Sequence, residues 1–205
     1  PYELEKLYNL DNNTPLIIFT QHSVTTEFDE STMQILPSLR ALDKLSHNNG
    51  YKIIITYPNN DAGGKRIIEQ INKFKWQNKS NINITDSLGR YNYHGVFNYC
   101  ANVVNGVCVG NSSSGIKETP FFGLPTVNIG SRQDKRLRSS NVLDANYDEA
   151  QISQAIQKCV NSNDFRAQSK ICKNPYGKGN SGKLIASLLE NVKIDKKLYR
   201  KKITY

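Results

Sequence analysis

The residues that could do chemistry cluster in short polar stretches at the ends of apolar runs. The most informative stretch is Asn111-Ser112-Ser113-Ser114-Gly115, which carries no bulky side chain and follows the apolar run Val107–Val109 and Gly110. A helix is expected to begin at about Ser114 and to stop near Phe122-Gly123. A Ser/Gly turn opening a helix presents free backbone N–H groups and the positive end of the helix dipole, and three hydroxyls add donors; that suits a phosphate or diphosphate. The same residue types also make an ordinary helix cap, so the turn alone leaves both readings open. Glu118 lies one helical turn beyond Ser114, where a carboxylate reads equally as a surface residue or a dipole partner.

Other candidates stand at similar places. His22 follows the apolar run Leu16–Thr20 by two residues, and a loop imidazole there can act as acid or base because it titrates near neutrality. The other histidines are His47, which reads as capping or solvated near a helix end, and His94, for which the sequence gives no role. Asn59, Asp61 and Gly63 belong to the turn Pro58–Gly64, where such residues normally shape the backbone. Arg90 follows Ser87-Leu88-Gly89; a guanidinium there suits phosphate, though a solvated arginine fits too. Arg132 follows Gly130-Ser131 at the end of another apolar run. No Walker A lysine motif or GxGxxG is present, and Ser112–Gly115 lacks the first glycine of a GxSxG nucleophile elbow.

The positioning elements read as alternating strands and helices. Strands are expected at 16–20, 51–57, 82–85, 103–109, 126–129 and 141–143. Helices are expected at 31–48, 65–78, 91–101, 114–122, 148–161 and 182–191. In the first helix Ile35, Leu36, Leu39, Leu42 and Leu45 fall on one stripe, with Pro37 in its early turns. Such alternation predicts an α/β fold, a Rossmann-like parallel sheet with helices on both faces. Ligands of these sheets bind at the carboxyl ends of the strands, where every candidate above lies.

Composition narrows the partners. With 205 residues, 38% hydrophobic and 22% charged, the chain has enough apolar material for one folded domain. No apolar run approaches the ~20 residues that cross a bilayer, so no membrane partner is expected. The cysteines, Cys100, Cys108, Cys159 and Cys172, form no CxxC pair and have no histidine cluster beside them, so no zinc site is expected. Cys100 and Cys108 read as buried thiols, and the whole as a reducing, cytoplasmic protein. The net charge is +9, but Lys193, Lys196, Lys197, Arg200, Lys201 and Lys202 against Asp195 supply five of those charges in the last thirteen residues. A basic tail of this kind is a solvated end rather than a nucleic-acid module, so no nucleic-acid partner is expected.

Four segments carry a family resemblance. Asn111–Glu118 (NSSSGIKE) followed by Pro125–Gln133 (PTVNIGSRQ) resembles the nucleotide-binding signature of the UDP-N-acetylglucosamine 2-epimerase family. Thr20–Ser31 (TQHSVTTEFDES) resembles its catalytic-histidine segment, Thr56–Gly64 (TYPNNDAGG) its second turn, and Asn174–Ile185 (NPYGKGNSGKLI) its closing motif. The four occur in order over residues 16–190. The stretch Ser131–Arg136 resembles the hydrolysing branch rather than the longer Thr-Glu-Arg-Pro-Glu pattern of the non-hydrolysing one.

What the resemblance implies is specific. The fold would be the C-terminal domain of a two-domain, glycosyltransferase-B type enzyme, over residues 1–191, with 192–205 a basic tail. The chain starts at Pro1 and no segment corresponds to the family's amino-terminal domain, so it reads as an excised domain, inactive alone, whose partner would be that missing domain. The substrate would be a UDP-sugar. The nucleoside diphosphate would leave across C1–C2 to give a 2-acetamidoglycal, and water would then yield UDP and an N-acetylmannosamine-type sugar. His22 would assist departure of the nucleotide. Asn59 and Arg132 would lie by the sugar and diphosphate, Arg90 would face phosphate or uracil, and Ser112, Ser113, Ser114 and Gly115 would hold the diphosphate. Glu118 would accept both ribose hydroxyls. No cofactor is implied, and a homo-oligomer is compatible with the family. A glycosyltransferase-B transferase and a non-catalytic nucleotide-sugar-binding module are the alternatives, and the choice of sugar and of UDP or GDP stays open.

Overall fold

Six strands form one parallel sheet: β1 (Leu16–Thr20), β2 (Lys52–Thr56), β3 (Ile82–Thr85), β4 (Val107–Gly110), β5 (Thr126–Ile129) and β6 (Val142–Ala145), in the order β3-β2-β1-β4-β5-β6. This comes from a computed structural model that describes residues 2–200. The helices are α1 (Tyr2–Tyr8), α2 (Ser31–Asn49), α3 (Gly64–Lys73), α4 (Gly89–Asn102), α5 (Ser114–Lys117), α6 (Thr119–Phe122), α7 (Glu149–Asn161), α8 (Asn163–Lys170), α9 (Ser181–Asn191) and α10 (Lys196–Tyr199). The expected Rossmann-like α/β sheet is therefore present, with the order reversing between β1 and β4.

The central strands β1, β2 and β4 are short and mostly apolar because both their faces are covered. Ile17 and Phe19 of β1, Ile53 and Ile55 of β2, and Val107 and Val109 of β4 pack with the stripe Ile35, Leu39, Leu42 and Leu45 of α2 on one face. Leu16, Ile18, Ile54 and Cys108 point the other way, against Val96, Phe97 and Cys100 of α4 and Leu4 of α1. Each such side chain contributes roughly 1.5–3 kcal/mol on burial. Cys100, Cys108 and Cys159 are free and buried, as expected for the first two.

The chain divides into two compact units, Pro1–Pro175 and Tyr176–Tyr205. The first holds the sheet. The second holds α9 and α10, and the closing motif Asn174–Ile185 straddles the division. Of the basic tail, Lys201 and Lys202 lie outside the described residues. No helix among the described residues is long and apolar enough to cross a membrane.

Several elements differ from expectation, each for a local reason. The third helix ends at Lys73 rather than near Asn78: Phe74 turns extended, and Phe74 and Trp76, two residues apart, pack ring to ring at 4.7 Å. A helix would splay that pair. The strand expected from Val103 starts at Val107, because Val103 and Val104 close α4 with their amides on the Tyr99 carbonyl. The helix expected over 114–122 is two single turns broken at Glu118. Pro120 has no N–H to continue the ladder, and the Thr119 hydroxyl takes the Gly115 carbonyl at 2.7 Å instead. Helices α1 and α8 were not expected. The latter buries Phe165, Arg166 and Ser169 and is capped by Ser162, whose Oγ accepts the Phe165 N–H at 3.2 Å.

Candidate functional site

The register sets where chemistry can occur. Thr20 pairs with Gly110, so the carboxyl ends of β1 and β4 are level at the point where the strand order reverses, the place where crevices open in such sheets. Gly110 has φ +125°, and a Cβ there would run into the Thr20 carbonyl, which is why a glycine ends β4. The next residue, Asn111, is fully buried and turns its side chain back across the sheet end. Its Oδ1 accepts the His22 N–H at 2.6 Å and its Nδ2 donates to the His22 carbonyl at 2.8 Å. An amide side chain thus continues the β1–β4 ladder by one residue and fixes the backbone of His22.

The His22 ring is equally constrained. The Asn59 N–H donates to its Nδ1 at 3.0 Å. Burial, with Arg132 next in effect, pushes the imidazole down to about 4. The ring is therefore neutral at pH 7, carries its proton on Nε2, and offers a donor rather than an imidazolium. Asn59 is held by its Nδ2 on Asp61 Oδ2 at 2.8 Å. Arg132 closes the ring of contacts, with Nη2 3.5 Å from Asp61 Oδ2 and Nη1 donating to the Asn111 carbonyl at 3.2 Å. Gln133 donates to the same carbonyl at 2.8 Å. Gly63, with φ +87°, lets the turn after β2 close over Ser23 and Ser31, which brings Asn59 to the histidine.

A cleft of about 680 Å³ opens beside this cluster, within the usual size of ligand sites. Six of the nine sequence candidates line it: His22, Arg90, Ser112, Ser113, Ser114 and Glu118. Asn59 and Arg132 sit against His22 rather than on the wall, and Gly115 lies beneath it, against Thr126. In the serine turn the Gly115 N–H is turned onto the Ser112 carbonyl at 3.2 Å, and Ser114 N–H points to Ser112 Oγ at 3.4 Å. The amides of Ser114 and Gly115, expected to face an anion, are thus turned within the turn itself.

Two wall residues had no expected role. Tyr93 Oη lies 2.9 Å from Ser114 Oγ, which is 2.9 Å from Ser112 Oγ, and burial pushes the Tyr93 phenol up, so it stays a donor. His94 Nε2 lies 2.8 Å from Glu118 Oε2. Neither partnership has a short-range signal, since each spans more than twenty residues. Asn111 had a signal, an asparagine directly after a strand, but reads in sequence as turn material. His47 is exposed near the end of α2, as expected. No group of three or more metal-ligating side chains occurs among the described residues.

The comparisons with known proteins agree in direction. A family model described as UDP-N-acetylglucosamine 2-epimerase matches residues 2–190. The GDP/UDP-N,N'-diacetylbacillosamine 2-epimerase (hydrolyzing) of Campylobacter jejuni is 33% identical over 199 residues, covering 97% of this chain and 49% of that protein. The UDP-N,N'-diacetylbacillosamine 2-epimerase (hydrolyzing) of Legionella pneumophila is 29% identical over 95% of this chain and 47% of its own length. The chain thus spans about half the length of the curated relatives it matches. Among solved structures, UDP-GlcNAc 2-epimerase from Neisseria meningitidis bound to UDP-GlcNAc superposes with a TM-score of 0.69 at 16% identity, over 93% of this chain and 49% of that one. At that identity the likeness speaks for the fold.

Proposed function

Because the chain belongs to the UDP-N-acetylglucosamine 2-epimerase family, we propose that it forms the nucleotide-binding half of a hydrolysing UDP-sugar 2-epimerase. The observation that carries this reading is the convergence of His22, Arg90 and the segment Ser112–Glu118, from three separate parts of the chain, on one cleft at the switch point of the sheet. In this reading the serine turn and Arg132 hold the diphosphate, and Glu118 takes the ribose hydroxyls. Arg90 closes the nucleotide end.

His22 acts as a neutral donor. Its Nε2–H bonds the oxygen that leaves C1 and stabilises charge developing on the diphosphate, without a full proton transfer from the ring. That role fits an imidazole that burial and the nearby Arg132 keep unprotonated. A base removes the C2 proton while the C1–oxygen bond breaks, giving a 2-acetamidoglycal and UDP. Water then adds, its hydroxyl to C1 and a proton to C2 from the opposite face. The family resemblance assigns the C2 proton transfers to acidic residues of an amino-terminal domain, so turnover belongs to the intact protein. The two relatives named as diacetylbacillosamine epimerases favour an acetamido-sugar of that type as substrate.

Incubating the intact protein with UDP-N-acetylglucosamine and UDP-N,N'-diacetylbacillosamine in D₂O tests the reading. Release of UDP with a free, C2-deuterated, C2-inverted sugar supports it. An epimer still attached to UDP places the protein in the non-hydrolysing branch, and sugar transfer to an added acceptor without C2 exchange makes it a transferase.

A further inference from the structure

We propose that His94 is a positioning residue: it locks the Glu118 carboxylate in the orientation that accepts the vicinal hydroxyls of a ribonucleotide. This rests on the assignment of Glu118 to the ribose. Glu118 stands at the break between α5 and α6, with 43% of its side chain exposed. A glutamate there has several freely turning bonds, whereas gripping a cis-diol requires both carboxylate oxygens to be presented together. His94 removes that freedom. Its Nε2 lies 2.8 Å from Oε2. The imidazole is itself held, stacked at 28° on the fully buried Phe97 and tilted against Phe122 with centroids 5.7 Å apart. One N–H occupies one of about four lone-pair sites of the carboxylate, which leaves room for the two hydroxyls of the diol.

The neighbouring residue strengthens the case. Tyr93 bonds Ser114 at one end of the signature segment while His94 bonds Glu118 at the other. Two consecutive residues of α4 therefore brace both the phosphate turn and the sugar ligand, tying the start of α4, which carries Arg90, to the serine segment. The partial exposure of both side chains makes a purely stabilising role weak, since water competes for such a contact. The gain is in order before binding. Freeing a carboxylate that must then be re-immobilised is expected to weaken nucleotide binding about 3- to 10-fold.

The test is calorimetric titration of the intact protein with UDP and with 2′,3′-dideoxy-UDP, in wild type, His94→Phe, His94→Gln and Glu118→Ala, with thermal unfolding of each variant. The expected result has three parts. His94→Phe weakens UDP about 3- to 10-fold with the dideoxy analogue unchanged. His94→Gln, whose amide replaces the lost donor, restores UDP binding to within about twofold, a positioning hydrogen bond being replaced by a neutral one. All variants keep the melting temperature of the wild type. Equal weakening of both nucleotides by His94→Phe, or no weakening of either, overturns the proposal while a loss in Glu118→Ala leaves the ribose site standing. An unchanged UDP affinity in Glu118→Ala removes the ribose assignment and the proposal with it.

Discussion

Replacing Asn111 by alanine tests whether the site is built on its side chain. That side chain is fully buried and makes both hydrogen bonds that hold the backbone of His22, at 2.6 and 2.8 Å. Truncation leaves the His22 N–H and C=O without partners at the partly buried end of β1, and each stranded group costs about 1–3 kcal/mol. Partial access of water to His22 puts the sum near the low end, about 2–4 kcal/mol. Chemical denaturation followed by far-ultraviolet circular dichroism would read it as a shifted midpoint at unchanged slope. The same change unfastens the His22 ring from Asn59, so nucleotide affinity should fall alongside stability. Asn111→Asp keeps one acceptor but loses the donor and buries a charge, and should cost at least as much. A loss below about 0.5 kcal/mol in the alanine variant, the scale of an ordinary surface substitution, would refute the role given to the Asn111 side chain.

Three further outcomes follow from the same contacts. Between pH 6.5 and 4 the unfolded chain protonates His22 while the folded chain does not, so stability should fall with pH across that window; His22→Gln should flatten the curve by up to about 3 kcal/mol, and an imidazole resonance of His22 that titrates near 6.5 would contradict this. Gly110→Ala places a methyl group on the Thr20 carbonyl at a φ of +125° and should abolish soluble expression or strongly lower the melting temperature; a wild-type melt would count against the close approach of β1 and β4. Arg166→Met strands the carbonyls of Gly106 and Cys159, which its Nη1 reaches at 3.0 and 3.1 Å, and should cost about 2–4 kcal/mol by denaturant unfolding with nucleotide affinity retained.

The parts of the fold that could be read from sequence were those whose signal is local. Leu16–Phe19 and Ile53–Ile55 are apolar throughout because the sheet buries both their faces, and the leucine spacing of α2 survives Pro37. Helix α8 escaped because it offers one large apolar side chain, Phe165, and is anchored by Arg166 onto distant carbonyls. The serine turn was legible as a candidate anion site, yet the helix behind it is only a turn long, since Thr119 and Pro120 break it at Glu118. The candidate side chains were visible one at a time. What orients them was not: Asn111 on His22, Asp61 on Arg132 and His94 on Glu118 are long-range pairings that the order of the sheet brings together.

The central claim is that this cleft binds a uridine diphosphate through its ribose and its phosphates. Calorimetric titration of the intact protein with UDP, with GDP beside it, in wild type and Glu118→Ala, tests it most directly. The account predicts saturable 1:1 binding of UDP that weakens at least tenfold when Glu118 is truncated, the scale of a charged hydrogen bond lost. Absence of UDP binding at millimolar nucleotide, or equal affinity in the variant, would contradict it.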